Sequence, residues 1–262
     1  MVTLVKQCSV EARGLEVRAG GRVLVRAESL RLGPGLHALI GPNGAGKTSL
    51  LRALAGIVSY RGEVKVCGDR SPAEARELLG YMPAYPEVDL LARAGNVIEA
   101  GTYGASASDG EILWAARLAG VEALLDRRFI TLSGGERRLV CLARVLARRP
   151  RILLLDEPLS FLDLKNVASV IGLLRSIARA GRVVVVAGHE LQYLSAFDTV
   201  TLVSRGKTVY TGAPEDIPLS LLERVYETRL VEARVGGFRV ILPGEIFGSI
   251  AGANDGDLQQ GG

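Results

Sequence analysis

Eight consecutive residues, Gly41-Pro42-Asn43-Gly44-Ala45-Gly46-Lys47-Thr48, fit the pattern G-x-x-x-x-G-K-[ST] without a gap. This is the spacing of a phosphate-binding loop. Glycine is required where backbone N–H groups close around phosphate oxygens, and the helix that follows adds the partial positive charge of its N-terminus. In such a loop Lys47 reaches the β- and γ-phosphates and the Thr48 hydroxyl ligates Mg²⁺. With Ser49, these residues form the candidate nucleotide-binding set, which the motif alone leaves open as to the type of NTPase. Asp156 and Glu157 form a second group, two carboxylates that close the aliphatic run Ile152 to Leu155 and precede Pro158. A strand ending this way sets Asp156 against the phosphate loop, where it holds the hydration shell of Mg²⁺. Glu157 then stands beside the attacking water as general base. Ser133-Gly134-Gly135-Glu136 precedes a long amphipathic pattern and offers bare backbone at a second helix N-terminus. His189 follows the apolar run Val183 to Ala187.

These groups need strands and helices to hold them. His37 to Ile40 reads as a buried strand ahead of the loop, and Ser49 to Ala55 as a helix closed by Gly56. Leu15 to Val17 and Val23 to Arg26 flank Ala19-Gly20-Gly21 as a hairpin, with a separate strand over Ser29 to Leu32. Gly62 to Gly68 alternates as a strand. Ser71-Pro72-Ala73-Glu74 carries an N-cap, a first-turn proline and a capping-box Glu, predicting a short helix to about Leu79. Tyr81 to Pro83 follows as a short strand, and Tyr85 to Phe129 is helical with breaks. Helices over Gly135 to Arg148 and Lys165 to Ala180 then alternate with strands over Ile152 to Leu155, Arg182 to Ala187 and Thr199 to Val203. A short helix is expected near Leu191 to Leu194 and a hairpin at Arg205-Gly206-Lys207. Such alternation predicts an α/β fold, a mostly parallel sheet with helices on both faces.

The 262 residues suffice for one large α/β domain, read here as 1–243, with 244–262 as a mobile tail rich in Gly, Ala, Asn and Asp. No apolar run approaches the length of a membrane span and Met1 to Val10 builds no signal peptide, so a cytoplasmic protein is expected. The net charge of +4 comes from arginines spread along the chain rather than clustered in a stripe, which argues against a nucleic-acid partner. Cys8, Cys67 and Cys141 are odd in number and far apart, and are read as buried or half-buried fillers rather than a disulfide or zinc framework. The excess of arginine over lysine and the scarcity of Asn, Gln, Cys and Met fit a thermophile or a GC-rich genome.

From Leu15 to Val209 the chain resembles the ATP-binding subunits of the ABC family. The resemblance rests on the phosphate loop, Leu132-Ser133-Gly134-Gly135-Glu136, the strand ending in Asp156-Glu157-Pro158, Ser160-Phe161-Leu162-Asp163, and His189, in that order. It implies a P-loop NTPase fold of RecA-like type, with an N-terminal antiparallel β subdomain and an inserted helical subdomain at about 85–131. It implies that His189 bridges Glu157 and the γ-phosphate. It further implies a head-to-tail homodimer or heterodimer in which Ser133, Gly134, Gly135 and Glu136 of one subunit close on ATP held by the other, with Asp163 communicating across the interface. Two positions depart from the family pattern: Ala84 stands where a glutamine is usual, and Ala19 where an aromatic stacks on adenine.

One set of motifs excludes the tandem translation-factor types as single-chain readings, and the lack of a long heptad insertion argues against the chromosome and DNA-repair types. What remains is a motor subunit docked on a membrane permease, peripheral on the inner face of the cell membrane, or a soluble assembly ATPase of iron–sulfur type. A regulator that binds nucleotide without hydrolysing it is a further alternative. Asn96 to Gly104 and Leu221 to Tyr226 are similar to the corresponding stretches in importers of iron-siderophore, haem and cobalamin, which favours the permease-docked reading.

Overall fold

The computed structural model describes residues 8–102 and 109–244. Nine strands form its main sheet: β1 (Val10–Ala19), β2 (Arg22–Leu32), β3 (Gly35–Ile40), β4 (Arg61–Val66), β5 (Leu79–Met82), β6 (Ile152–Asp156), β7 (Val183–Gly188), β8 (Thr199–Ser204) and β9 (Lys207–Gly212). Their order is β4-β1-β2-β9-β8-β3-β7-β6-β5. From β8 to β5 neighbouring strands are parallel, whereas β4, β1 and β2 pair antiparallel, as do β8 and β9.

The parallel strands are buried on both faces, as the unbroken apolar runs require. In β6, Leu153 and Leu155 face one cluster and Ile152 and Leu154 the other. The first cluster is filled by α2 (Ala94–Glu99), α3 (Asp109–Leu118), α4 (Gly134–Leu146) and α5 (Leu164–Arg179). The second is filled by α1 (Lys47–Leu54) under the N-terminal strands. Beyond β9, α6 (Leu219–Tyr226) leads into a separate hairpin of β10 (Leu230–Val235) and β11 (Phe238–Pro243). Arg239 anchors that hairpin from within, donating to the carbonyls of Pro214 (2.8 Å) and Ile217 (2.8 Å) and to Glu232 (2.8 Å). Among the described residues, no helix is long and apolar enough to cross a membrane.

Three local expectations are corrected. The strand expected over Ser29 to Leu32 is the end of β2, which pairs with β1 from Val10↔Leu32 to Ala19↔Arg22; the break in alternation at Glu28-Ser29 falls between the pairs Arg13↔Ser29 and Leu15↔Ala27 and does not end the ladder. The capping box at Ser71 forms, with the Ser71 N–H donating to Glu74 at 2.7 Å, yet only a turn and a 3₁₀ segment at Arg76–Leu78 follow it. Leu79 is already paired with Ile152, which leaves too few residues to recover the cost of helix nucleation. Thirdly, Cys8 and Cys67 are not separate fillers: they form a disulfide, closing β1 against the end of β4 across 59 residues of sequence. Cys141 is free and buried, as expected. Of the expected tail only Gly244 lies within the described residues, and the Asn96 to Gly104 stretch is described as far as Thr102.

Candidate functional site

Strand β3 delivers the chain, fully buried, to the phosphate loop, and α1 carries it away. Gly41 has φ 151° and a Cβ there would sit 2.1 Å from the Val203 carbonyl oxygen; Gly46 has φ 109° and its Cβ would sit 2.7 Å from the Leu24 carbonyl oxygen. Neither position tolerates a side chain. Gly46 is the N-cap of α1, no side chain caps that end, and its first turn holds no acidic residue. The helix's first amides are therefore left to an anion. They open into a cavity of about 200 Å³ lined by Leu24, Asn43 to Ser49 and Glu157.

Lys47 is 6% exposed, and its Nζ donates to the carbonyls of Gly41 (2.6 Å) and Pro42 (3.0 Å). Burial lowers its pKa, while Glu157, Asp156 and Glu190 act to restore the charge. Asp156, at the end of β6, is 1% exposed, and its Oδ2 has no partner among the described residues. Burial raises its pKa and Glu157 adds to that, whereas the hydrogen bond to Thr48 and the charges of Lys47 and Arg52 oppose it. A buried carboxylate oxygen without a partner, beside a threonine hydroxyl, is a donor set that suits a hard divalent cation.

Glu157 follows in the left-handed region at φ 52°, held by its N–H to the Ala187 carbonyl (2.8 Å) and by the Ser160 hydroxyl donating to its Oε2 (3.2 Å). A non-glycine residue in that region is a strained conformation of the kind found at functional sites. His189, just past β7, is exposed, and its N–H donates to Glu190 at 3.0 Å. One cavity of about 430 Å³ is lined by Glu157, Ser160 and His189, and another of about 340 Å³ by Pro42, Asn43 and His189. The histidine thus stands between the phosphate loop and Glu157.

The structure brings Gly41 to Ser49, Asp156, Glu157 and His189 together. It does not bring Ser133 to Glu136 to them; those residues start α4 elsewhere, with Gly134 and Gly135 against Phe161. Nor is that helix end bare. Ser133 accepts from the Glu136 N–H at 3.2 Å, and Glu136 accepts from the Ser133 N–H at 2.7 Å, a complete capping box. Asp163 is the N-cap of α5, accepting from the Asn166 N–H at 2.7 Å. Ala19 lies exposed at the end of β1, and the neighbouring Arg18 is paired with Glu16 rather than free to replace an aromatic. Three further residues were not singled out by motif. Leu24 walls the loop cavity, the charge of Glu190 helps keep Lys47 protonated, and the buried Arg138 of α4 donates to the Ala84 carbonyl at 2.8 Å. Only Glu190 had a signal, its place beside His189.

The family model described as ABC transporter matches residues 28–160. The hemin import ATP-binding protein HmuV of Rhodococcus jostii is 36% identical over 90% of this chain and 86% of its own. That of Streptomyces coelicolor is 38% identical over 82% of both chains. The zinc import ATP-binding protein ZnuC of Alkalilimnicola ehrlichii is 37% identical over 79% of both. Among solved structures, a metal-chelate type ABC transporter in an inward-facing conformation has a chain that superposes with TM-score 0.75 at 21% identity, covering 90% of this chain and 97% of that one, which bears on the fold alone. A bacterial Atm1-family ABC exporter with ATP bound gives TM-score 0.72 at 26% identity, covering 84% of this chain and 40% of that one. With the phosphate loop, the acidic strand end and the sheet in place, the chain belongs to the ATP-binding, ATP-hydrolysing subunits of the ABC transporter family.

Proposed function

We propose that this chain is the motor of an importer for haem or a related iron chelate, hydrolysing Mg-ATP in a head-to-tail dimer at the inner face of the membrane. One observation carries the catalytic part: the orphaned Asp156 oxygen, the Thr48 hydroxyl, Lys47 and Glu157 converge on one cavity at an uncapped helix start. Thr48 and Asp156 would hold Mg²⁺, which neutralises phosphate charge when bound. The amides of residues 43–49 bind the phosphates. Lys47 exchanges its two loop carbonyls for β- and γ-phosphate oxygens, so that its charge is held ready close to where it is used. Glu157 accepts the proton of the attacking water, and His189 positions Glu157 against the γ-phosphate.

Ser133, Gly134, Gly135 and Glu136 lie away from this cavity, which supports their acting on a partner's nucleotide. In the capping box Ser133 is an acceptor, which leaves its own O–H to donate. Asp163 holds the start of α5 beside that interface. The permease is assigned to the face between β5 and α4, a cavity of about 520 Å³ where Tyr85 is 80% exposed and Arg52, Arg144 and Arg148 add positive charge. The importer assignment leans on the similarity to hemin import ATP-binding proteins over most of their length.

The test is Mg-ATP turnover by the purified chain beside Glu157→Gln, with molecular mass measured in saturating ATP. Turnover should fall by about 10²–10⁴-fold, the usual contribution of a general base, while the variant accumulates as an ATP-bound dimer. Absence of wild-type turnover would move the chain to the non-hydrolysing regulators. A monomeric Glu157→Gln variant in ATP would defeat the sandwich.

A further inference from the structure

Arg138 sits in the second turn of α4, five residues after Ser133, and is 5% exposed. One guanidinium nitrogen donates to the Ala84 carbonyl at 2.8 Å and to the Pro83 carbonyl at 3.3 Å. Its charge is not carried by any of the ion pairs found among the described residues. A cation buried without a carboxylate in contact costs several kcal/mol unless other charges balance it. Burial does lower its pKa, and Glu157 and Asp156 at the end of β6 act to raise it. The loop it holds begins one residue past Met82, which is paired with Leu155 directly before those two carboxylates.

We propose that Arg138 is a positioning residue for ATP hydrolysis, its buried guanidinium holding the backbone at Pro83 and Ala84 in place beside the Asp156-Glu157 strand end and doing the work of the side chain that position 84 lacks. Three things meet in this one residue. It rides on the helix whose first turn is Ser133 to Glu136. It grips the loop leaving β5, whose residues Pro83, Tyr85 and Glu87 line a cavity of about 520 Å³. That loop also runs beside the strand end that carries both carboxylates, because β5 and β6 are paired up to Met82↔Leu155. A methyl group at Ala84 leaves room for that long side chain and makes no competing hydrogen bond. A shift of α4 is therefore passed to the loop that lies beside the two carboxylates.

The proposal rests on Asp156 and Glu157 serving the nucleotide, so the experiment separates the two. Mg-ATP turnover, ATP affinity and melting temperature are measured for the full chain as wild type, Glu157→Gln, Arg138→Met, Arg138→Lys, Ala84→Gln and the double variant Arg138→Met/Ala84→Gln. Arg138→Met should lower kcat by about 10–100-fold, the usual cost of losing a residue that orients the reacting shell, with ATP affinity within about twofold. Ala84→Gln should recover most of that loss in the Met background and bring no gain in the wild type, because there the guanidinium already fills the position. A merely structural arginine would not be rescued by a glutamine on another element. If Arg138→Met does not fold, Arg138→Lys keeps the charge but loses the planar fork, and kcat should still fall severalfold at unchanged melting temperature. Wild-type turnover that Glu157→Gln abolishes but Arg138→Met and Arg138→Lys leave intact overturns this inference alone. So does a loss in Arg138→Met that Ala84→Gln fails to recover. A wild type without turnover defeats the catalytic reading, and this inference with it.

Discussion

Two helices in this molecule begin at glycine-rich turns, and they begin differently. At α1 the N-cap is Gly46, no side chain satisfies the first amides, and the first turn holds a buried lysine instead of an acid. At α4 the N-cap is Ser133, and Ser133 and Glu136 satisfy each other's backbone. The first stands open to an anion: it has no side-chain cap and no acid in its first turn. The second is satisfied within its own chain and offers only the amides its cap does not use, those of Gly134 and Gly135, and the Ser133 hydroxyl proton. On the proposed function, capping chemistry tells apart a helix start that binds by itself and one that contributes only when something is brought to it.

The strongest way to break this comparison is Gly46→Ala. Its Cβ would meet the Leu24 carbonyl at 2.7 Å on a backbone at φ 109°, so the loop must distort. Isothermal titration should show ATP affinity reduced by about 100-fold or more, roughly 2.7 kcal/mol; retained affinity would mean the open start is not what holds phosphate. Alkaline pH probes α4 in turn. Burial pushes the Cys141 thiol up to about 11 from 9.0, so between those values the folded chain keeps a proton that the unfolded chain gives up. Stability should fall as pH rises across that interval, by roughly 2 kcal/mol more in the wild type than in Cys141→Ala on urea denaturation. Equal slopes would place the thiol in contact with solvent and α4 loosely packed.

Ala19→Tyr sharpens the α1 side. A stacking partner for the base should tighten ATP binding by about 1–3 kcal/mol, and no change would put the end of β1 out of reach of the nucleotide. Ser133→Ala has the smallest expected effect in the isolated chain. Removing the cap should cost about 1 kcal/mol and lower the melting temperature by about 2–4 °C, with ATP affinity unchanged. A loss of monomer ATP affinity would contradict the division of roles between the two starts.

The difference also explains what could be read in the sequence. The phosphate loop is eight adjacent residues whose geometry is local, and Asp156 and Glu157 end a strand whose apolar run announces it. These were legible because chemistry and its scaffold share one stretch. Arg138 reaches Ala84 across 54 residues and Cys8 reaches Cys67 across 59, and nothing in either neighbourhood marks the partner. The odd cysteine count pointed away from a disulfide, since it treated the three as one set when one is interior to α4. The capping box at Ser133 was also in plain view as Ser-x-x-Glu, but the glycines between drew attention to bare backbone instead. The 71–79 segment shows the opposite failure: its local signals were real, and the pairing of β5 with β6 overrode them.

An open sheet of nine strands has two rims, and exposed rims invite other chains to add to them. Here one rim, β5, is four residues long. The other, β4, carries Glu63 and Lys65, with Lys65 also paired to Asp69 just beyond its end, and the disulfide pins Cys67 there. Short length on one side and charge with a covalent clasp on the other make edge-to-edge aggregation unfavourable. Self-association of this chain is thereby steered away from backbone ladders, which form without regard to nucleotide.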